Sequence, residues 1–195
     1  MLKVIGATGT RTRRVLWALE EIGLDYEHDP APPRSDAVTR LNPSGKVPVL
    51  IDGDLLVTDS IAILHYLADM HGQLTFPAGT PERAQQDAFT FRIVDEIEGP
   101  LWMAARHSFV LPEEMRLPAI KDSLKWEFSE SLRRLGADLG DGPFLMGETM
   151  TVADIVLAHC GGWAEAAGFP VDESHMTAFL ERMWARPAAR KVYAD

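Results

Sequence analysis

The sequence predicts an α/β plus all-α fold, in which a mixed domain precedes a purely helical one, and three observations lead to this class. Residues 1–73 alternate short apolar segments with helical patterns. Residues 74–80 contain Pro77 and Gly79 and have no periodicity, which is typical of a linker. The periodic segments within residues 81–195 all have helical spacing. We therefore divide the chain into domains of residues 1–73 and 81–195.

The first domain is predicted to follow the order β-α-β-α-β-β-α. Its predicted elements are a strand at 2–5, a helix from Thr10 or Thr12 to Ile22, a strand at 24–28, a short helix at 35–41, strands at 47–51 and 55–58, and a helix at 60–71. Gly23 marks the end of the first helix, and Asp52-Gly53 is a hairpin signal between the last two strands. This order is typical of a compact α/β layer.

The second domain is predicted to contain four helices. Thr80-Pro81-Glu82 starts the first of them, because proline is favoured at the first helical position. That helix runs toward Arg106 with a bend at Gly99-Pro100. Further amphipathic patterns cover 120–139, 152–163 and 176–183. Thr151 and Asp154 have the spacing of a capping box, so we interpret them as folding residues.

Composition excludes several classes of function. The net charge of −10 argues against a general nucleic-acid or anionic-membrane surface, and no apolar run reaches roughly 18 residues. Cys160 is the only cysteine, so no intrachain disulfide can form and a reducing, cytoplasmic setting is expected. The histidines lack ligand spacing, so we expect no metal site.

Four sequence motifs occur together in a fixed order. They are RVLWALEEIGL at residues 14–24, NPSGKVP at 42–48, DSIAI at 59–63 and TVAD at 151–154. With these motifs the chain resembles the cytosolic glutathione S-transferase superfamily over nearly its whole length, in particular bacterial-type members with a serine or threonine after the first strand. The resemblance implies a thioredoxin-like first domain, an all-helical second domain and a homodimer. It also implies glutathione as co-substrate and Pro48 as a cis-proline.

The reaction of this family needs a glutathione thiolate, because the thiolate is the nucleophile. Lowering a thiol pKa from about 8.5 to about 6.5 takes about 2.7 kcal/mol. One hydrogen bond to the charged sulfur contributes about 1.5–3 kcal/mol, and a helix N-terminus adds about 0.3–1 kcal/mol. A single hydroxyl at the start of the first helix is therefore sufficient.

Three threonines stand where family members place a tyrosine, serine or cysteine for this purpose. Relatives that read Ser-Arg-Ser before the first helix align their first serine with Thr10, which makes Thr10 the first candidate. Thr8 and Thr12 are the alternatives, and all three could instead only cap the helix. No cysteine lies in this loop, so a mixed disulfide with a protein thiol is not expected there.

The resemblance also assigns ligand-binding residues. Ser60 and the N-terminus of its helix suit the γ-glutamyl carboxylate, and Asp59 suits the ammonium group. Val47 offers its backbone N–H and C=O. The expected glutathione-binding residues are Arg11, Lys46, Val47, Pro48, Asp59 and Ser60, and the expected electrophile pocket consists of Trp102, Met103, Arg106 and Phe109.

Arg11, Arg13 and Arg14 crowd the first turn of the first helix, where cations oppose the helix dipole. They could attract the two carboxylates of glutathione, pair with acidic residues of a partner subunit, or form a solvated face.

The leading hypothesis is a detoxifying transferase that conjugates the glutathione thiolate to a hydrophobic electrophile. One alternative is a glutathione-dependent reductase of disulfides or peroxides that uses the same site. Another is a binding or scaffold protein without catalysis on the same fold.

Overall fold

A computed structural model describes residues 1–194, and residue 195, the last residue of the predicted helical domain, lies outside the described residues. The chain separates into two compact units. One contains Met1–Thr80 and the segment that begins at Trp184, and the other contains Pro81–Met183. The predicted division assigned that last segment to the helical domain. It belongs instead with the first unit because helix α9 (Pro187–Tyr193) packs on helix α1 (Arg13–Ile22).

The first unit is built on a four-stranded mixed sheet. Strands β1 (Leu2–Ile5), β2 (Tyr26–Asp29), β3 (Val49–Asp52) and β4 (Leu55–Thr58) lie in the order β2-β1-β3-β4. Strand β1 is parallel to β2 and antiparallel to β3, and β3 is antiparallel to β4. The predicted third strand starts at Val49 rather than at Val47, because Pro48 has no N–H to donate to the ladder.

The sheet register places two loops side by side. Ile5, the last residue of β1, pairs with Asp29 on one side and with Val49, the first residue of β3, on the other. The chain that leaves β1 at Gly6 therefore starts next to the chain that enters β3 through Val47 and Pro48.

Helices α1, α2 (Asp36–Thr39), α3 (Ser60–His71) and α9 complete this unit. Helix α1 packs on both α3 and α9 and is buried from Arg14 to Leu19. Its predicted start was at Thr10 or Thr12; a π-helical turn, Thr8–Thr12, precedes it, and Thr10 has non-helical dihedral angles there (φ −121°, ψ −169°). Helix α9 was not predicted.

The second unit is helical. Its main helices are α4 (Pro81–Arg92), α5 (Gly99–Ala105), α6 (Ile120–Leu139), α7 (Val152–Ala166) and α8 (Ser174–Trp184). A π-helical turn, Ile93–Glu98, interrupts the first pattern just before Gly99, where a bend was expected. Helix α7 is the centre of this unit, because every residue from 152 to 161 is buried.

The predicted fold class, a thioredoxin-like domain with an all-helical domain, is confirmed. Within residues 1–194, no helix combines the length and the apolar character needed to cross a bilayer.

Candidate functional site

The first unit brings together the segments that the sequence singled out between residues 6 and 60. At Gly6, the start of α1 and the loop before β3 come close together. A Cβ built on Gly6 would lie 2.2 Å from Thr12 Oγ1 and 2.8 Å from Val47 Cβ. Since Gly6 also has a φ of +145°, which L side chains rarely adopt, glycine is the residue that fits there. The absence of a side chain at Gly6 lets the start of α1 approach the Val47–Pro48 segment.

The hydroxyl of Thr10 lies just before helix α1. It donates a hydrogen bond to the Ala7 carbonyl oxygen at 2.7 Å and accepts one from the Thr12 backbone N–H at 3.2 Å. A third contact joins the hydroxyl oxygens of Thr10 and Thr12 at 2.9 Å. The side chain is half-buried, so Thr10 combines a capping role with an accessible edge.

The two alternative threonines, Thr8 and Thr12, differ in how much of each residue is exposed. Thr12 is fully buried, so it has no surface to offer a ligand. Thr8 is half-buried, and within residues 1–194 its hydroxyl has no hydrogen-bond partner. Thr8 and Thr10 are therefore the two threonines of the loop with side-chain surface available.

The loop before β3 presents unused backbone groups. The Val47–Pro48 peptide bond is cis, as the resemblance implied. In the described part of the chain, neither the N–H nor the C=O of Val47 has a hydrogen-bond partner. Lys46 is exposed, and its backbone is held by Asn42 Nδ2, which donates to the Lys46 carbonyl at 2.9 Å. An extended peptide could add to this edge as an extra strand does.

Asp59 caps helix α3. Its Oδ1 accepts hydrogen bonds from Ile61 N–H at 2.9 Å and Ala62 N–H at 3.3 Å. Its backbone has a φ of 73° and a ψ of 126°, which lies outside the αL region and is a sparsely populated conformation for a residue with a side chain. The other oxygen, Oδ2, has no hydrogen-bond partner among residues 1–194. One carboxylate oxygen thus holds the helix while the second is available to a cation.

Ser60 is buried and contacts a buried cation. Arg14 Nη1 donates to Ser60 Oγ at 3.4 Å, and the Arg14 side chain is fully buried. This contact joins α1 to the N-terminus of α3. The sequence did not predict it, because the two residues are 46 positions apart and nothing local marks Arg14 as buried.

The three arginines of the first turn have different surroundings. Arg14 is buried, and Arg13 lies over the ring of Tyr193 at 4.4 Å from its centroid, so neither belongs to a solvated face. Arg11 is half-buried at the loop.

The proposed electrophile residues belong to the second unit. Trp102 and Met103 lie on α5 and are half-buried, as is Arg106 at the start of the following π-helical turn, Arg106–Val110. Phe109 is 70% exposed. No group of three His, Cys, Asp or Glu side chains in residues 1–194 is arranged to hold a metal ion.

Comparison with known proteins identifies the family. Residues 10–70 match the family model of the glutathione S-transferase N-terminal domain, and residues 127–194 match that of the C-terminal domain. Glutathione S-transferase 4 of Zea mays is 31% identical over 98% of this chain and 91% of its own length. The chain belongs to the glutathione S-transferase superfamily. The predicted family and the predicted enzyme class, a glutathione transferase, are confirmed.

Solved glutathione transferases share the whole fold. The enzyme from Methylococcus capsulatus is 28% identical, with a TM-score of 0.85, and the match covers 100% of this chain and 98% of that one. A theta class glutathione S-transferase from Xanthomonas axonopodis pv. citri, solved with glutathione bound, is 27% identical with a TM-score of 0.80. That match covers 97% of this chain and 95% of the Xanthomonas chain.

Proposed function

We propose that this glutathione transferase binds glutathione in its first unit and joins the glutathione sulfur to a hydrophobic electrophile. In this reaction the thiol loses its proton to water, and the thiolate forms a bond to the electrophilic carbon as the leaving group departs. The observation that carries the proposal is that contacts join the three segments: Gly6 brings Thr12, the neighbour of Thr10, close to Val47, and Arg14 joins α1 to Ser60.

Each part of glutathione has a chemically suitable group in this unit. Val47 would exchange backbone hydrogen bonds with the cysteinyl residue, next to Pro48. Asp59 would bind the ammonium group, and Ser60, with the N-terminus of α3, would bind the γ-glutamyl carboxylate. Lys46 and Arg11 would attract the glycyl carboxylate. These charged groups hold the ligand in one orientation, which positions its sulfur.

Thr10 would donate its hydroxyl proton to the sulfur. A hydrogen bond to a charged acceptor contributes about 1.5–3 kcal/mol, whereas the neutral bond it replaces, to the Ala7 carbonyl, contributes about 0.5–1.5 kcal/mol. The exchange therefore favours the thiolate. The N-terminus of α1 adds to this stabilisation. Trp102, Met103, Arg106 and Phe109 would line the pocket for the electrophile.

The proposal is tested by assaying two reactions with the same protein. With glutathione and 1-chloro-2,4-dinitrobenzene, we expect formation of the thioether with release of chloride. With glutathione and 2-hydroxyethyl disulfide, we expect a slower reaction, because the loop has no cysteine to form a mixed disulfide. Faster turnover of the disulfide would favour the reductase. Failure to bind millimolar glutathione would favour a scaffold protein.

We further propose that the protein is a cytoplasmic homodimer with a role in detoxification, as the resemblance implies. The measurement for the assembly is light scattering after size exclusion, with an expected mass of twice that of the chain. A single-chain mass at micromolar concentration would contradict the dimer.

A further inference from the structure

Thr12 is buried and contacts Thr10, whose hydroxyl we assign to sulfur binding. Its side chain has no exposed surface, and its oxygen lies 2.9 Å from Thr10 Oγ1. We propose that Thr12 is a positioning residue, whose hydroxyl orients the Thr10 hydroxyl so that only its proton faces the glutathione sulfur. This inference rests on the proposed function.

The number of available protons determines which of the two hydroxyls, Thr10 or Thr12, donates the hydrogen bond between them. Each threonine hydroxyl has one proton and two acceptor sites. Thr10 directs its proton to the Ala7 carbonyl oxygen, which is 2.7 Å away. The proton between the two hydroxyl oxygens must then come from Thr12, since two oxygens at 2.9 Å with no proton between them would repel each other.

The acceptor sites of Thr10 are consequently both occupied. One receives the Thr12 hydroxyl at 2.9 Å and the other receives the Thr12 backbone N–H at 3.2 Å. With both acceptor sites filled from the protein side, the Thr10 hydroxyl can meet a ligand only as a donor. A hydroxyl that accepts hydrogen bonds is also polarised into a stronger donor, by an amount of about 10–30% per bond.

The geometry also lowers the free-energy cost of changing the acceptor of that hydrogen bond. The Ala7 carbonyl oxygen accepts a second hydrogen bond, from the Thr10 backbone N–H at 3.1 Å. A sulfur can reach the Thr10 proton only on the Ala7 side, where it shares the proton with the carbonyl or replaces the carbonyl as its acceptor. The carbonyl then keeps the Thr10 N–H as a partner and is not left unsatisfied. The Thr12 oxygen stays in place because it packs against Gly6, where a Cβ would come within 2.2 Å of it.

Two possible roles of Thr12, filling space and orienting the Thr10 hydroxyl, predict opposite rankings of two variants. Thr12→Val keeps the volume and loses the hydroxyl, whereas Thr12→Ser keeps the hydroxyl and loses a methyl group. If Thr12 only fills space, valine is the milder change. If Thr12 positions Thr10, serine is the milder change.

The experiment measures the pKa of the glutathione thiol bound to each protein, from the ultraviolet absorbance of the thiolate. We expect Thr12→Val to raise this pKa by about 0.5 unit, a roughly threefold loss of thiolate below the midpoint, and Thr12→Ser to leave it unchanged. Urea unfolding checks that each variant is folded, and Thr12→Ala, which also lacks the hydroxyl, provides a second variant with the same expected shift.

A double variant identifies the route of the effect. In a Thr10→Val protein, adding Thr12→Val should cause no further shift, because Thr12 acts only through Thr10. An equal shift for valine and serine, no shift for valine, or a shift that persists without the Thr10 hydroxyl would overturn the inference. If the wild-type protein binds no glutathione thiolate at all, the proposed function is wrong and the role of Thr12 falls with it.

Discussion

Under the proposed function, Asp59 would combine a structural and a ligand-binding role in one carboxylate. Its Oδ1 accepts the hydrogen bonds that cap α3, and its Oδ2, which has no hydrogen-bond partner among residues 1–194, would bind the ammonium group of glutathione. Aspartate is one methylene shorter than glutamate, so its carboxylate stays close to the first N–H groups of its own helix. The two roles can be separated experimentally because asparagine caps helices as well as aspartate does.

We predict that Asp59→Asn weakens glutathione binding at least roughly tenfold while changing the free energy of unfolding by less than about 0.5 kcal/mol. Calorimetry with glutathione and urea unfolding measure the two effects. The control ligand is a glutathione analogue that lacks the α-amino group, whose affinity should be the same for both proteins. Equal weakening of both ligands would show that Asp59 does not bind the ammonium group.

At the scale of an element, helix α7 depends on a buried capping box. Asp154 Oδ2 accepts hydrogen bonds from the Thr151 N–H at 2.7 Å and hydroxyl at 3.1 Å, and Oδ1 accepts one from Leu145 N–H at 2.9 Å. The predicted capping box is therefore confirmed. Burial raises the pKa of Asp154 to about 6, although these hydrogen bonds favour the charged form.

The raised pKa predicts the sign of a pH dependence. Between pH values of about 4 and 6, folded Asp154 holds a proton that the unfolded chain has released, so the free energy of unfolding falls as the pH rises. This contribution is fully present below about pH 4 and is lost above about pH 6. Asp154→Asn should remove it, and should also cost about 1–3 kcal/mol at pH 7, because an amide N–H would face the Thr151 donors.

Urea unfolding between pH 4 and pH 7 measures both effects. The matched control is Asp54→Asn, since the Asp54 side chain is exposed, has no hydrogen-bond or ion-pair partner among residues 1–194 and should leave the profile unchanged. A wild-type profile that Asp154→Asn reproduces in slope would contradict the assignment of this titration to Asp154.

At the scale of the whole molecule, the last segment of the chain is tied to the first helix. Glu21 accepts hydrogen bonds from Arg186 Nε at 2.6 Å and Nη2 at 2.7 Å, and from Trp17 Nε1 at 2.9 Å. The Tyr193 ring packs edge-on against Trp17 and lies under the Arg13 guanidinium. Helix α1, which follows Thr10 and Thr12, is thus stabilised by its contacts with the last segment of the described chain.

We predict that Glu21→Gln lowers the free energy of unfolding by about 1.5–3 kcal/mol, because the Glu21 side chain is only 10% exposed and accepts a charged, two-pronged hydrogen bond. Lys191→Met is the control, since Lys191 is 69% exposed in its ion pair with Glu20 and should contribute about 1 kcal/mol or less. Equal effects of the two substitutions in urea unfolding would contradict this ranking.

Most of the elements could be predicted because their signals are local. Helices α3 and α6 begin and end where the predicted patterns do, since the apolar periodicity of each helix lies within one segment. The contacts that tie the site together could not be predicted. Arg14 and Ser60 are 46 positions apart and Glu21 and Arg186 are 165 apart, so their pairing depends on tertiary packing. The π-helical turn was not predicted either, so the sequence could not indicate which of the three threonines is buried.

The central claim is that the Thr10 hydroxyl keeps the sulfur of bound glutathione ionised, and titration of that thiolate by its ultraviolet absorbance tests it most directly. We expect a midpoint near pH 6.5 for the wild-type protein, a rise of about 1–2 pKa units for Thr10→Val, and little change for Thr10→Ser. An unchanged midpoint in Thr10→Val would contradict the claim. A rise in Thr8→Val instead would assign the sulfur to Thr8.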